Sequence, residues 1–123
     1  MKRIALKTAL AVVVAGVVGT LVNAAALAVV LDPARLGLAL VPGRHLVATA
    51  VCAALPLLHG RLQRPWFWPA AALWLTLAPS LLAKLVFAAQ AGWGQVLIFN
   101  FVFALAALFT YWLIAPSRAG ERR

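Results

Sequence analysis

The chain has 123 residues, 66% of them hydrophobic and 11% charged, with a formal net charge of +9. That apolar share excludes an ordinary water-soluble domain and makes lipid the solvent. The positive charge does not imply nucleic acid, because the basic residues sit at the edges of apolar runs rather than on one face interleaved with stacking aromatics.

The first apolar segment, 8–31, contains no acidic or basic side chain. It follows Met1-Lys2-Arg3 and Lys7 in the manner of a secretory leader. It nevertheless continues through Val29, Val30 and Leu31 to Asp32-Pro33, which is too long for a leader and right for an uncleaved membrane span. The second segment, 44–59, is short for a crossing. It spans if Arg44 and His45 snorkel outward or the bilayer thins locally, with Leu36 to Val41 lying in the interface or extending the helix behind a kink at Pro42-Gly43; re-entry without crossing stays open. The third segment, 67–90, opens at Trp66-Phe67-Trp68, an aromatic belt by composition, and should kink at Pro79. After Ala91-Gly92-Trp93-Gly94, a turn that suits only an antiparallel neighbour, a fourth segment covers 94–115 and stops at Pro116. The tail 116–123 is expected to be disordered.

These segments define an all-α, integral membrane four-helix bundle of one domain, with short loops. With the N-terminus in the cytoplasm, Lys2, Arg3, Lys7, Arg61, Arg64, Arg118, Arg122 and Arg123 fall inside, Arg35 and Arg44 fall outside, and Lys84 is left within the third segment. This bias assigns both ends to the cytoplasmic side of a bacterial-type inner membrane.

At about 100° per residue, each segment carries one small or polar face. These are Gly16, Gly19, Thr20 and Asn23; His45, Thr49, Cys52, Pro56 and His59; Ala72, Thr76, Ser80, Ala83 and Lys84; and Asn100, Ala104, Ala107 and Tyr111. The faces should meet inside the bundle while Leu, Val and Phe cover the lipid side. Two readings are open: plain helix packing, or a polar intramembrane site in which Asn23 and Asn100 line a pocket or path, since a buried amide in hydrocarbon must find a partner. Candidate members of that site are Lys84, Asp32, Asn23, Asn100, Thr20, Thr76 and Ser80. Lys84 lies about two turns from the outer end of its helix, where it can snorkel, pair with Asp32, or meet a lipid phosphate or other anionic headgroup.

Catalytic and metal chemistry find no support. The two acidic residues are Asp32 and Glu121, at an interface and in the tail. His45 and His59 lie about 21 Å apart along a helix, too far for one metal, and suit the two ends of the second segment. The lone Cys52 excludes an internal disulfide and reads as a small core residue. No cofactor is expected.

The size and layout resemble the small multidrug transporters, but their membrane-embedded glutamate in the first helix has no counterpart before Asp32. The stretch Val14-Ala15-Gly16-Val17-Val18-Gly19-Thr20-Leu21-Val22-Asn23 resembles the first helix of GtrA-like proteins, four-helix membrane proteins associated with moving polyprenyl-linked sugars. The Asn- and Arg-rich helix ends of that family are missing after the second and fourth segments, at His59-Gly60-Arg61 and Pro116-Ser117-Arg118. The leading expectation is a non-enzymatic accessory, scaffold or homo-oligomeric protein with a membrane-protein partner or a second copy; the alternative is a small transporter or GtrA-like flippase component handling a lipid-linked or anionic substrate.

Overall fold

The computed structural model describes residues 2–86 and 92–115, all of whose regular structure is helical. Five α-helices follow one another: α1 (Lys2–Val30), α2 (Pro42–Cys52), α3 (Leu55–Arg61), α4 (Arg64–Leu81) and α5 (Trp93–Ile114). A 3₁₀ segment, Pro33–Leu40, joins α1 to α2, and a π-helical turn, Leu82–Val86, extends α4. The expected tail, 116–123, and the far end of the third segment, 87–90, lie outside the described residues.

Three stretches are long and apolar enough to cross a membrane: Ala5–Val30, Pro65–Val86 and Trp93–Ile114. The chain is accordingly a helical membrane protein. Large apolar side chains such as Leu10, Leu21, Leu73, Leu105, Phe109 and Leu113 are exposed along these helices, the arrangement that lipid rather than water demands.

The stretch expected as one helix over 44–59 starts earlier and is divided into α2 and α3 at Ala53-Ala54. Pro56 is the cause: its ring collides with the carbonyl one turn back, at Cys52, and it has no N–H to return to the ladder. The turn opens, and Val51 O accepts a hydrogen bond from Trp74 Nε1 of α4 at 2.8 Å. A side chain from the neighbouring helix thus adds to the long 3.3 Å bond that the same carbonyl accepts from the Ala54 N–H in the opened turn.

α1 packs against α5 and α2, and α4 packs against α5, α2 and α3, which closes a ring of neighbours in the order α1, α2–α3, α4, α5. Small residues set its tightness. A methyl group added at Gly16 would lie 2.9 Å from the backbone Cα and N of Thr49, and one added at Gly19 would lie 2.6 Å from the ring of Phe103. α1 therefore presents adjacent glycines to two different partners, α2 and α5.

The buried core runs through Ala11, Ala15, Cys52, Leu55, Phe67, Ala71, Leu75, Ala104, Ala107 and Tyr111. At the end where α3 meets α4 it is aromatic. The buried ring of His59, expected at an interface, lies 5.1 Å from Phe67, 5.5 Å from Trp112 and 6.0 Å from Tyr111 between centroids. The aromatic belt expected at Trp66-Phe67-Trp68 is split accordingly: Trp66 is exposed, while Phe67 is buried beneath these rings.

Candidate functional site

At the opposite end of the ring, where α1 and α4 finish and α2 and α5 begin, the helices separate around a cavity of about 480 Å³. Thr20 and Asn23 of α1, Arg44, Val47 and Ala48 of α2, Pro79, Leu82 and Ala83 of α4 and its π turn, and Asn100 and Phe103 of α5 line it. Val41 and Gly43, both exposed, mark where it reaches the surface. Local sequence explains the opening. Pro79 interrupts the α4 ladder, the chain widens into the π turn immediately afterwards, and Gly43 adds no side chain at the start of α2.

Two hydrogen-bonded chains start from consecutive residues of α5 and run to opposite walls. On one side Asn23 Nδ2 donates to Phe99 O at 2.7 Å, and Asn23 Oδ1 accepts from Arg44 Nη2 at 2.7 Å. Asn23 is buried, so this chain ties α5, α1 and α2 together through one amide. On the other side Asn100 Nδ2 donates to Ser80 Oγ at 2.9 Å, Ser80 Oγ donates to Thr76 O at 2.6 Å, and Thr76 Oγ1 donates to Ala72 O at 2.8 Å. Ser and Thr hydroxyls bonded to the carbonyl one turn back bend a helix, which adds to the effect of Pro79. Thr20 Oγ1 is likewise returned to its own helix, at Gly16 O.

Of the seven residues singled out from sequence, the structure brings Thr20, Asn23 and Asn100 to the cavity wall and places Thr76 and Ser80 behind Asn100. The two asparagines bond to different helices and not to each other. Asp32 and Lys84 do not line the cavity. The Asp32 carboxylate is exposed and accepts from the Ala34 N–H at 3.0 Å, closing a turn at the start of the 3₁₀ segment. Lys84 is half-buried, with Nζ 5.7 Å from the ring centroid of Trp93 at the start of α5.

Arg44 is the cavity residue that sequence reasoning missed. Taken as an outward-snorkelling flank, it instead turns its guanidinium between α1 and α2, where Nη2 holds Asn23 and Nε is buried with no hydrogen-bond partner among the described residues. The signal was present in the spacing: Arg44 stands four, seven and eight positions before Ala48, Val51 and Cys52, the buried face of α2.

Fold and cavity together define a class, a small helical membrane protein with a positively charged pocket between its helices. Compared with protein-family models, curated proteins and solved structures, the chain matches none.

Proposed function

We propose that this is a four-crossing inner-membrane protein, with both ends in the cytoplasm, that binds a small ligand in the cavity at Arg44 and acts as a non-enzymatic carrier or flippase-type component. In this reading α2 and α3 together form the second crossing, and the 3₁₀ segment lies at the outer surface. The cavity then occupies the outer half of the bilayer, with Asn23 about 10 Å below the end of α1.

The observation that carries the reading is the half-buried Arg44 in the cavity wall, its Nη2 held by Asn23 and its Nε buried with no hydrogen-bond partner among the described residues. An arginine within a membrane bundle is costly and points to a substrate or ion path by default. Snorkelling to the surface would relieve that cost, but Nη2 is turned to Asn23 of α1 instead. The accessory or oligomer reading drew on small-residue faces available for association. On α1 those faces are already spent within the chain, Gly16 against Thr49 and Gly19 against Phe103, which favours the ligand-binding reading.

A thiol-accessibility experiment on intact cells tests this, on a Cys52→Ser background with a membrane-impermeant reagent added outside. Val47→Cys, in the cavity wall, should label. Leu46→Cys, one residue away on the exposed apolar surface, should not, because a thiol facing acyl chains meets no water and forms no thiolate. Protection of Val47→Cys would refute an outward-reaching ligand cavity.

A further inference from the structure

Resting on the ligand-binding reading above, we infer that the cavity takes the phosphate of an anionic lipid, with Arg44 as its counter-ion and the start of an acyl chain along Val47, Leu82 and Phe103. The guanidinium offers five N–H donors in a planar fork suited to phosphate oxygens. One is committed to Asn23 Oδ1 at 2.7 Å, while buried Nε has no acceptor among the described residues. A buried donor left unmet is costly, and an ionised oxygen is the partner that relieves it best.

No carboxylate of the described residues supplies that oxygen. Asp32 is exposed and engaged with the Ala34 N–H, so among the described residues the Arg44 guanidinium meets the neutral oxygen of Asn23 and no counter-charge. The site therefore selects a ligand that brings negative charge with it. Neutral or cationic ligands would leave the guanidinium desolvated and uncompensated.

Size and lining argue for a lipid over a free ion. About 480 Å³ is far more than an inorganic phosphate fills, and apart from Thr20, Asn23, Arg44 and Asn100 the wall is apolar or glycine. An amphiphile matches both parts, and the mouth at Val41 and Gly43 lies at the end of the bundle that the proposed topology sets among outer-leaflet headgroups.

The test uses the purified full chain in nonionic detergent, with lipid adducts quantified by native mass spectrometry. Phosphatidylglycerol should bind about tenfold or more tightly than phosphatidylcholine, whose choline carries its own counter-charge. Arg44→Gln, which keeps an N–H donor for Asn23, should lose about tenfold or more, the worth of a charge-assisted hydrogen bond. Arg35→Gln, removing an exposed arginine from the 3₁₀ segment, should leave binding unchanged. Val47→Trp, which fills the cavity while retaining Arg44, should also lose binding, and it decides the matter if Arg44→Gln fails to fold. Wild-type binding by both Arg44→Gln and Val47→Trp would overturn the inference. Displacement of phosphatidylglycerol by equimolar inorganic phosphate would show a free-anion site and overturn its lipid part. Equal binding of the two lipids, lost in Val47→Trp but not in Arg44→Gln, would refute the anion assignment while leaving the ligand cavity standing.

Discussion

Gly16 shows how much one hydrogen atom in place of a methyl group does in this molecule. Its side-chain position is 2.9 Å from the Thr49 backbone, so Gly16→Ala cannot be absorbed by a rotamer change and must push α1 from α2. The expected cost is about 1–3 kcal/mol, seen as a lowered unfolding midpoint in detergent. Gly94→Ala, where an added methyl group meets nothing within 4 Å, should shift it by less than about 0.5 kcal/mol. An equal response from the two variants would mean that the α1–α2 contact is not close-packed. The face formed by Gly16, Gly19, Thr20 and Asn23 was legible from spacing alone, because one uninterrupted helix keeps its period and all four residues are buried. Which neighbour each would meet was not legible, since period says nothing about partners. Arg44 was misread for a related reason: position in the chain indicates a membrane edge, whereas only the packing of α1 against α2 determines whether a long side chain turns out or in.

Helical elements in lipid must satisfy their own backbone, and at the break between α2 and α3 a neighbour adds a donor to the loosened turn. Trp74→Phe removes the indole donor from Val51 O while preserving an aromatic ring, and should destabilise the protein by about 1 kcal/mol. In a Pro56→Ala background, where an unbroken ladder lets the Leu55 N–H reach Val51 O, the same substitution should cost less than half as much; strict additivity in the double-mutant cycle would show that the indole bond is unrelated to the break. The break also explains why the face expected for the second segment, His45, Thr49, Cys52, Pro56 and His59, only partly coincides with the buried residues Ala48, Val51, Cys52, Leu55 and His59. A single helical period cannot be carried across the opened turn at Ala53-Ala54. On α4 the buried stripe Phe67, Ala71 and Leu75 likewise lies one position before the expected Ala72 and Thr76, which are half-buried. Apolar side chains take this part of the centre, the Thr76 hydroxyl is used along its own helix, and fully buried Ser80 both donates along α4 and accepts from Asn100 of α5.

At the scale of the whole molecule, the decisive question is whether α2 and α3 cross, because three helices meet the length and apolarity needed for a span and this pair does not. In the proposed arrangement they do, and the contacts are compatible with it: α2 packs against α1 and α4, and α3 against α4. The distribution of basic residues agrees, since a cytoplasmic N-terminus and four crossings leave only Arg35, Arg44 and Lys84 toward the outside. Single cysteines introduced at Arg35, Gln63, Gly92 and Ser117 on a Cys52→Ser background separate the alternatives. Four crossings require labelling from outside at Arg35 and Gly92, with Gln63 and Ser117 protected. Three crossings, with the N-terminus still inside, reverse three of these outcomes: Gln63 and Ser117 become reactive and Gly92 is protected. That reversal would set the end of α1 and the start of α5 on opposite faces of the membrane, although Asn23, Arg44 and Asn100 line one cavity, so the three-crossing pattern would overturn the shared cavity along with the fourth crossing.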